Sequence, residues 1–88
     1  IERDIALVVG HDTRIEEVQG IIENAGGAIL EDVDFFDEYV GAGIPQGAKS
    51  LAFRLVFRDK KRTLEDKEVE IVMEKIRSVL REKNWETR

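Results

Sequence analysis

Eighty-eight residues, 42% apolar and 38% charged, describe one folded domain with a single two-layer core, too small for a second lobe or a deep enzymatic cleft. The chain has no cysteine, which excludes disulfides, thiolate metal sites and cysteine nucleophiles; it also has no apolar run of membrane-spanning length and no signal-peptide pattern, so a cytoplasmic setting is expected. The formal net charge of −5 excludes an indiscriminate nucleic-acid binder, which would be basic.

The charge is unevenly distributed. From Lys49 to Arg62 there are six bases (Lys49, Arg54, Arg58, Lys60, Lys61, Arg62) against Asp59 alone, whereas Glu16 to Glu38 holds eight acids and no base. One strand-sized segment therefore reads as positive inside an acidic domain, a place where an anionic partner could dock locally. The chain opens on Ile1 and its sole methionine is Met73, so residues 1–88 are expected to be one domain of a longer polypeptide.

In chain order, Ile5, Leu7 and Val9 alternate with Asp4, Ala6 and Val8, the pattern of a strand buried mainly on one face. Gly10-His11-Asp12 breaks it. Thr13, three residues before Glu16, has capping-box spacing and predicts a helix start, with Ile15, Val18, Ile21, Ile22 and Ala25 on one stripe. Gly26-Gly27 should close that helix through the left-handed conformation. Ala28 to Asp37 reads as a second strand, and its adjacent Phe35-Phe36 breaks alternation, which predicts a bulge or strand end. Glu38 to Ala48, with Gly41, Gly43, Pro45 and Gly47, is an irregular connection.

Ser50 to Arg58 is the clearest strand: Leu51, Phe53, Leu55 and Phe57 face one way, Ser50, Ala52, Arg54, Val56 and Arg58 the other. After Lys60-Lys61-Arg62, Thr63 and Asp66 again have capping-box spacing. Leu64 to about Lys83 then forms an amphipathic pattern with Val69, Val72, Met73, Ile76, Val79 and Leu80 on one side. Trp85 to Arg88 can add a short final strand. The order strand–helix–strand–strand–helix–strand is the split β-α-β arrangement, an α+β ferredoxin-like sandwich with a four-stranded antiparallel sheet and both helices on one face. The other face stays open and displays Ala6, Val8, Ser50, Ala52, Arg54 and Arg58, a flat surface of small residues and arginines of the kind that RNA-recognition motifs offer to single-stranded RNA.

Four separated blocks carry a resemblance: Arg3-Asp4-Ile5-Ala6; Phe36-Asp37-Glu38-Tyr39-Val40-Gly41; the run from Ile44 through Lys49-Ser50-Leu51-Ala52-Phe53; and Arg62-Thr63-Leu64. In order and spacing the chain resembles the ferredoxin-fold anticodon-binding domain at the C-terminus of bacterial-type phenylalanyl-tRNA synthetase beta subunits. One departure lies at the end, where the family usually has a glycine, a small stretch and Leu-Arg; here Asn84-Trp85-Glu86-Thr87-Arg88 keeps only the arginine.

The resemblance implies a noncatalytic module that holds the anticodon stem-loop of tRNA(Phe) for charging by a catalytic alpha subunit, within an alpha-2-beta-2 assembly. The parent would use ATP and Mg2+, with no cofactor in this chain and no membrane partner. The implied RNA-binding residues are Tyr39, Asp37, Ser50, Arg54, Ala6, Arg58 and Arg88.

Each has a plainer alternative. Tyr39 either stacks on an unstacked base or caps the end of the core. Asp37 and Ser50 either flank that ring and bond base edges or serve turn chemistry. Ala6 and Ala52 let a base lie close, or are simply small. Arg54 and Arg58 meet phosphates or bases, or are solvated, and Arg88 carries similar weight.

Lys60, Lys61 and Arg62 read as a solvated turn and stand outside the site. His11 with Asp12 makes neither a metal site nor a catalytic dyad, and the sparse glycines form no nucleotide-phosphate loop. Another reading of the same element order is an ACT-like amino-acid sensing module with its ligand near Gly10 to Thr13. A purely structural assembly domain is also open. An acylphosphatase-like enzyme is discarded, because it needs an arginine where Gly10-His11-Asp12 stands.

Overall fold

The computed structural model describes residues Ile1–Arg88. Strand β1 (Glu2–Gly10) turns its alternation into two faces: Ile5, Leu7 and Val9 are buried, while Asp4 is exposed and Ala6 and Val8 are half-buried. β2 (Leu30–Tyr39), β3 (Ala48–Phe57) and the two-residue β4 (Glu86–Thr87) complete one antiparallel sheet in the order β2-β3-β1-β4. The helices α1 (Ile15–Gly26) and α2 (Asp66–Glu82) cover one side of it. This is the ferredoxin-like α+β fold expected from the element order.

The core lies between the sheet and the helices. Leu51, Phe53, Leu55 and Phe57 of β3 meet Val18 and Ile22 of α1 and Val69, Met73, Ile76 and Leu80 of α2, within a cluster of 17 buried residues. Burying a side chain of this size contributes about 1.5–3 kcal/mol, so this face supplies the stability of the domain.

Both helix starts differ from the capping-box expectation. The residue capping α1 is Arg14, not Thr13, and makes no side-chain cap; Glu17 and Val18 N–H donate to the Arg14 carbonyl, while Thr13 N–H is held in a turn by the Gly10 carbonyl at 3.0 Å. In α2 the cap is Glu65 rather than Thr63, because buried Leu64 draws the lead-in into extended backbone. Both first turns instead carry acids, Glu16 and Glu17 in α1 and Asp66 and Glu68 in α2, whose charge complements the helix dipole.

The two closing glycines of α1 have different reasons. Gly27 ends the helix with φ +67° and ψ −154°, a positive-φ conformation open to glycine but different from the left-handed helical one expected. Gly26 is ordinary helix, but a methyl there would collide with the Leu30 side chain, only 2.7 Å from its Cβ. A single 3-10 turn, Gly27–Ile29, therefore occupies the start of the segment expected to be strand, and β2 begins at Leu30. At the other end Asn84 supplies a left-handed φ of +64°, and Trp85, 9% exposed, closes the core before β4.

The register of β2 on β3 slips between Phe35 and Asp37, which are opposite Phe53 and Ala52. The bulge expected at the phenylalanine pair is thus present. Phe35 packs toward the core, its ring 5.6 Å from that of Phe53. Phe36, the extra residue, is 47% exposed.

Candidate nucleic-acid interface

Register settles which residues share the helix-free face. Three rows run across the strands. In the first, Tyr39, Ser50, Val8 and Glu86 are successive partners. In the second, Asp37 faces Ala52, Ala52 faces Ala6, and the Arg88 N–H donates to the Ala6 carbonyl at 2.7 Å. In the third, Asp34, Arg54 and Asp4 are aligned. Rows are two residues apart, about 7 Å along a strand, and strands are about 4.8 Å apart.

The second row is a floor of two half-buried alanines with a carboxylate at one side and an arginine at the other, about 14 Å apart across three strand spacings. Asp37 is exposed and takes part in none of the ion pairs of the chain, so its oxygens are free to accept. Tyr39 stands at the edge of the floor, 43% exposed. Its hydroxyl donates to the Ala42 carbonyl at 3.1 Å, and a methyl on Gly41 would lie 3.0 Å from that hydroxyl. The ring is therefore fixed against the Gly41–Gly43 turn without belonging to the core.

The same connection reaches across to the far side of the sheet, where a methyl on Gly43 would be 3.9 Å from Arg88 Nη2. Ser50 is directly beside Tyr39, as the expectation had it, but it is only 6% exposed, so a ligand has narrow access to its hydroxyl.

The arginines separate. Arg54 is on the bare face, but its Nε and Nη2 donate to the two Asp4 carboxylate oxygens at 2.9 and 3.2 Å. That hydrogen bond holds Asp4 below its usual carboxylate range and Arg54 above an already high value. Arg58 is eight residues beyond Ser50, about 27 Å along β3. It pairs loosely with Glu31 at 3.9 Å and lines a shallow groove of about 420 Å³ beside Lys60 and Lys61. The structure thus brings Tyr39, Asp37, Ser50, Ala6 and Arg88 together with Ala52, sets Arg54 one row away, and leaves Arg58 at the opposite end.

The positive segment read along the chain does not survive folding as a positive surface. Lys49 meets Glu38 at 3.8 Å, Arg54 meets Asp4, Arg58 meets Glu31, and Arg62 meets Glu68 at 2.6 Å, leaving Lys60 and Lys61 without acidic partners. Sequence reasoning also missed Phe36: it read the phenylalanine pair as backbone irregularity, although two adjacent rings cannot both enter a one-sided core.

Residues 1–88 match the family described as "Ferredoxin-fold anticodon binding domain". The chain belongs to that family. It is 49% identical over 76 residues to the "Phenylalanine--tRNA ligase beta subunit" of Clostridium tetani (strain Massachusetts / E88), covering 86% of this chain and 10% of that protein. The protein of the same description from Trichormus variabilis (strain ATCC 29413 / PCC 7937) is 49% identical over 82 residues, 93% of this chain and 10% of its own length. That from Synechococcus sp. (strain JA-2-3B'a(2-13)) is 47% identical over 79 residues, again with 10% of its length covered. The chain therefore spans about a tenth of the length of the curated relatives it matches.

The sheet face away from the two helices carries no second layer of secondary structure from this chain. The Gly10 to Thr13 loop, where a sensing module would seat an amino acid, is instead tied to the long connection through the His11 N–H and the Gly47 carbonyl at 2.9 Å. No helix of the chain is long and apolar enough to cross a membrane. No three acids or histidines gather as they would around a metal ion, and Gly41 to Gly47 leads into a strand rather than a helix; the residues present do not fit ATP or Mg2+.

Proposed function

We propose that this domain binds the anticodon loop of tRNA(Phe) on its bare sheet face, as part of a phenylalanine–tRNA ligase beta subunit. It would hold that tRNA for aminoacylation by a catalytic alpha subunit in an alpha-2-beta-2 assembly in the cytoplasm. ATP and Mg2+ belong to the chemistry of that partner subunit. The observation that carries the reading is the alanine floor formed by Ala52 and Ala6, bounded by Asp37 and Arg88 and flanked by the exposed ring of Tyr39.

Each residue then has a physical role. Tyr39 stacks on an unstacked base, an interaction worth about 1–3 kcal/mol. The alanines let the base approach the backbone. Asp37 accepts hydrogen bonds from an amino or imino edge, which favours a base that carries such donors. Arg88 stacks or meets the adjoining phosphate. Because most bases of the domain are already paired, the isolated chain binds weakly and with little salt dependence.

An amide-shift titration with a tRNA(Phe) anticodon stem-loop tests the reading, with a scrambled loop as control. Shifts should concentrate at Ala6, Asp37, Tyr39, Ala52 and Arg88. Equal shifts from both hairpins, or shifts confined to Lys60 and Lys61, would refute it. In the full synthetase, Tyr39→Ala should lower tRNA charging and leave adenylate formation unchanged.

A further inference from the structure

The third row contains an arrangement that the anticodon-loop reading does not use. Phe36 is a large apolar ring left 47% exposed on the bare face by the bulge. Burial would favour it, yet its ring is covered by the Arg54 guanidinium, whose central carbon lies 5.0 Å from the ring centroid. The guanidinium is gripped along one edge by both Asp4 oxygens, a fork-to-fork pair that fixes its plane as well as its position. An arginine whose plane is set by a carboxylate and backed by an aromatic ring presents a flat, rigid surface.

The field around it argues against a phosphate ligand. Asp4, Glu2 and Asp34 all act on Arg54, so the single cation stands among three anions. A phosphodiester approaching this row meets net negative charge, whereas a neutral planar base meets a π-surface and a cation it need not neutralise. The row is about 7 Å beyond the alanine floor, and the Tyr39 row is about 7 Å before it. Three positions at this spacing form a track that an extended, unstacked single strand can follow.

Resting on the anticodon-loop reading, we propose that Phe36 and Arg54 form a second nucleobase-stacking platform at the other end of the alanine floor from Tyr39. Asp4 is the positioning residue that holds the Arg54 plane. The domain thus stacks two unpaired nucleobases, one at Tyr39 and one on the Arg54 plane, rather than a single base at Tyr39.

The test uses hairpins with 2-aminopurine placed singly at each loop position and titrated with the 88-residue chain. Stacking quenches the probe. The wild-type chain should quench strongly at two positions. Tyr39→Ala should restore fluorescence at one, and Arg54→Lys at the other, with about tenfold weaker binding. Lysine keeps the charge but loses the plane, so the salt dependence should not change. Asp4→Asn should reproduce the Arg54→Lys pattern at the same position. Its amide spectrum reports directly whether the sheet is intact, and Phe36→Leu provides a second variant that keeps the apolar contact while removing the ring.

Quenching lost in Tyr39→Ala but untouched by Arg54→Lys, Asp4→Asn and Phe36→Leu overturns the platform and leaves the anticodon-loop reading standing. Loss at both positions together in Asp4→Asn also overturns it, because that marks a merely structural role. No quenching at any position with the wild-type chain defeats the anticodon-loop reading itself.

Discussion

The two faces of β3 put the same strand to opposite uses. On one, Leu51, Phe53, Leu55 and Phe57 are sealed beneath two helices; on the other, half-buried Ala52 and Val56 and exposed Arg54 have no helix above them, and Ser50 alone is closed off, at 6% exposed. A shift of one residue exchanges an interior environment for a binding surface, since side chains alternate across a strand. The comparison teaches that stability and recognition can be separated on adjacent residues: changes on the helix side should unfold the domain, and changes on the bare side should leave it folded and alter what it holds.

The largest effect is expected for Phe53→Ala. Phe53 is 0% exposed and packs against the ring of Phe35. The cavity should remove about 3–5 kcal/mol of stability, read from denaturant unfolding. A loss below about 1 kcal/mol would show that the two faces are not so different. Gly26→Ala sharpens the same side, because the added methyl has no room beside Leu30. A loss of about 1–3 kcal/mol is expected in the same measurement, and a neutral result would mean that the α1–β2 corner yields easily.

Tyr39→Ala probes the bare side. Its unfolding free energy should stay within about 0.5 kcal/mol of the parent, while affinity for the anticodon hairpin falls by about 1–3 kcal/mol in a calorimetric titration. A large stability loss would place the tyrosine among the core residues instead.

The smallest effect concerns Asp4. Its carboxyl titrates below the ordinary value of 3.8 because Arg54 hydrogen-bonds the charged form. A folded-state value lower than the unfolded one contributes stability above the unfolded value, lost as pH falls through the folded value. Asp4 carboxyl shifts should therefore show a midpoint below 3.8, moving up toward it in Arg54→Leu. An unchanged midpoint in the variant would show that the pair does not persist in solution.

Much of this was legible in the chain. Alternation in β1 and β3 fixed their faces, and the Phe35-Phe36 pair located the bulge. The helix starts were misplaced because Thr13 and Thr63 have the right spacing for caps, yet one is engaged in a turn and the other precedes a buried leucine. Of the candidate site, Tyr39, Asp37, Ser50, Ala6 and Arg88 gather at one end, although they are far apart in sequence. Arg58, on the same face by parity, lies too far along the strand to join them.

By itself the sequence determined the order of elements and the side of each strand that enters the core, because burying apolar surface forces a periodicity that can be read locally. Only the tertiary structure decided which charges remain available. Four of the six bases from Lys49 to Arg62 lose their positive character to Asp4, Glu31, Glu38 and Glu68, brought from other elements, and Lys60 and Lys61 stay unpaired. Electrostatic pairing depends on distance through space, and neighbouring strands place opposite charges within a few ångströms whatever their separation along the chain.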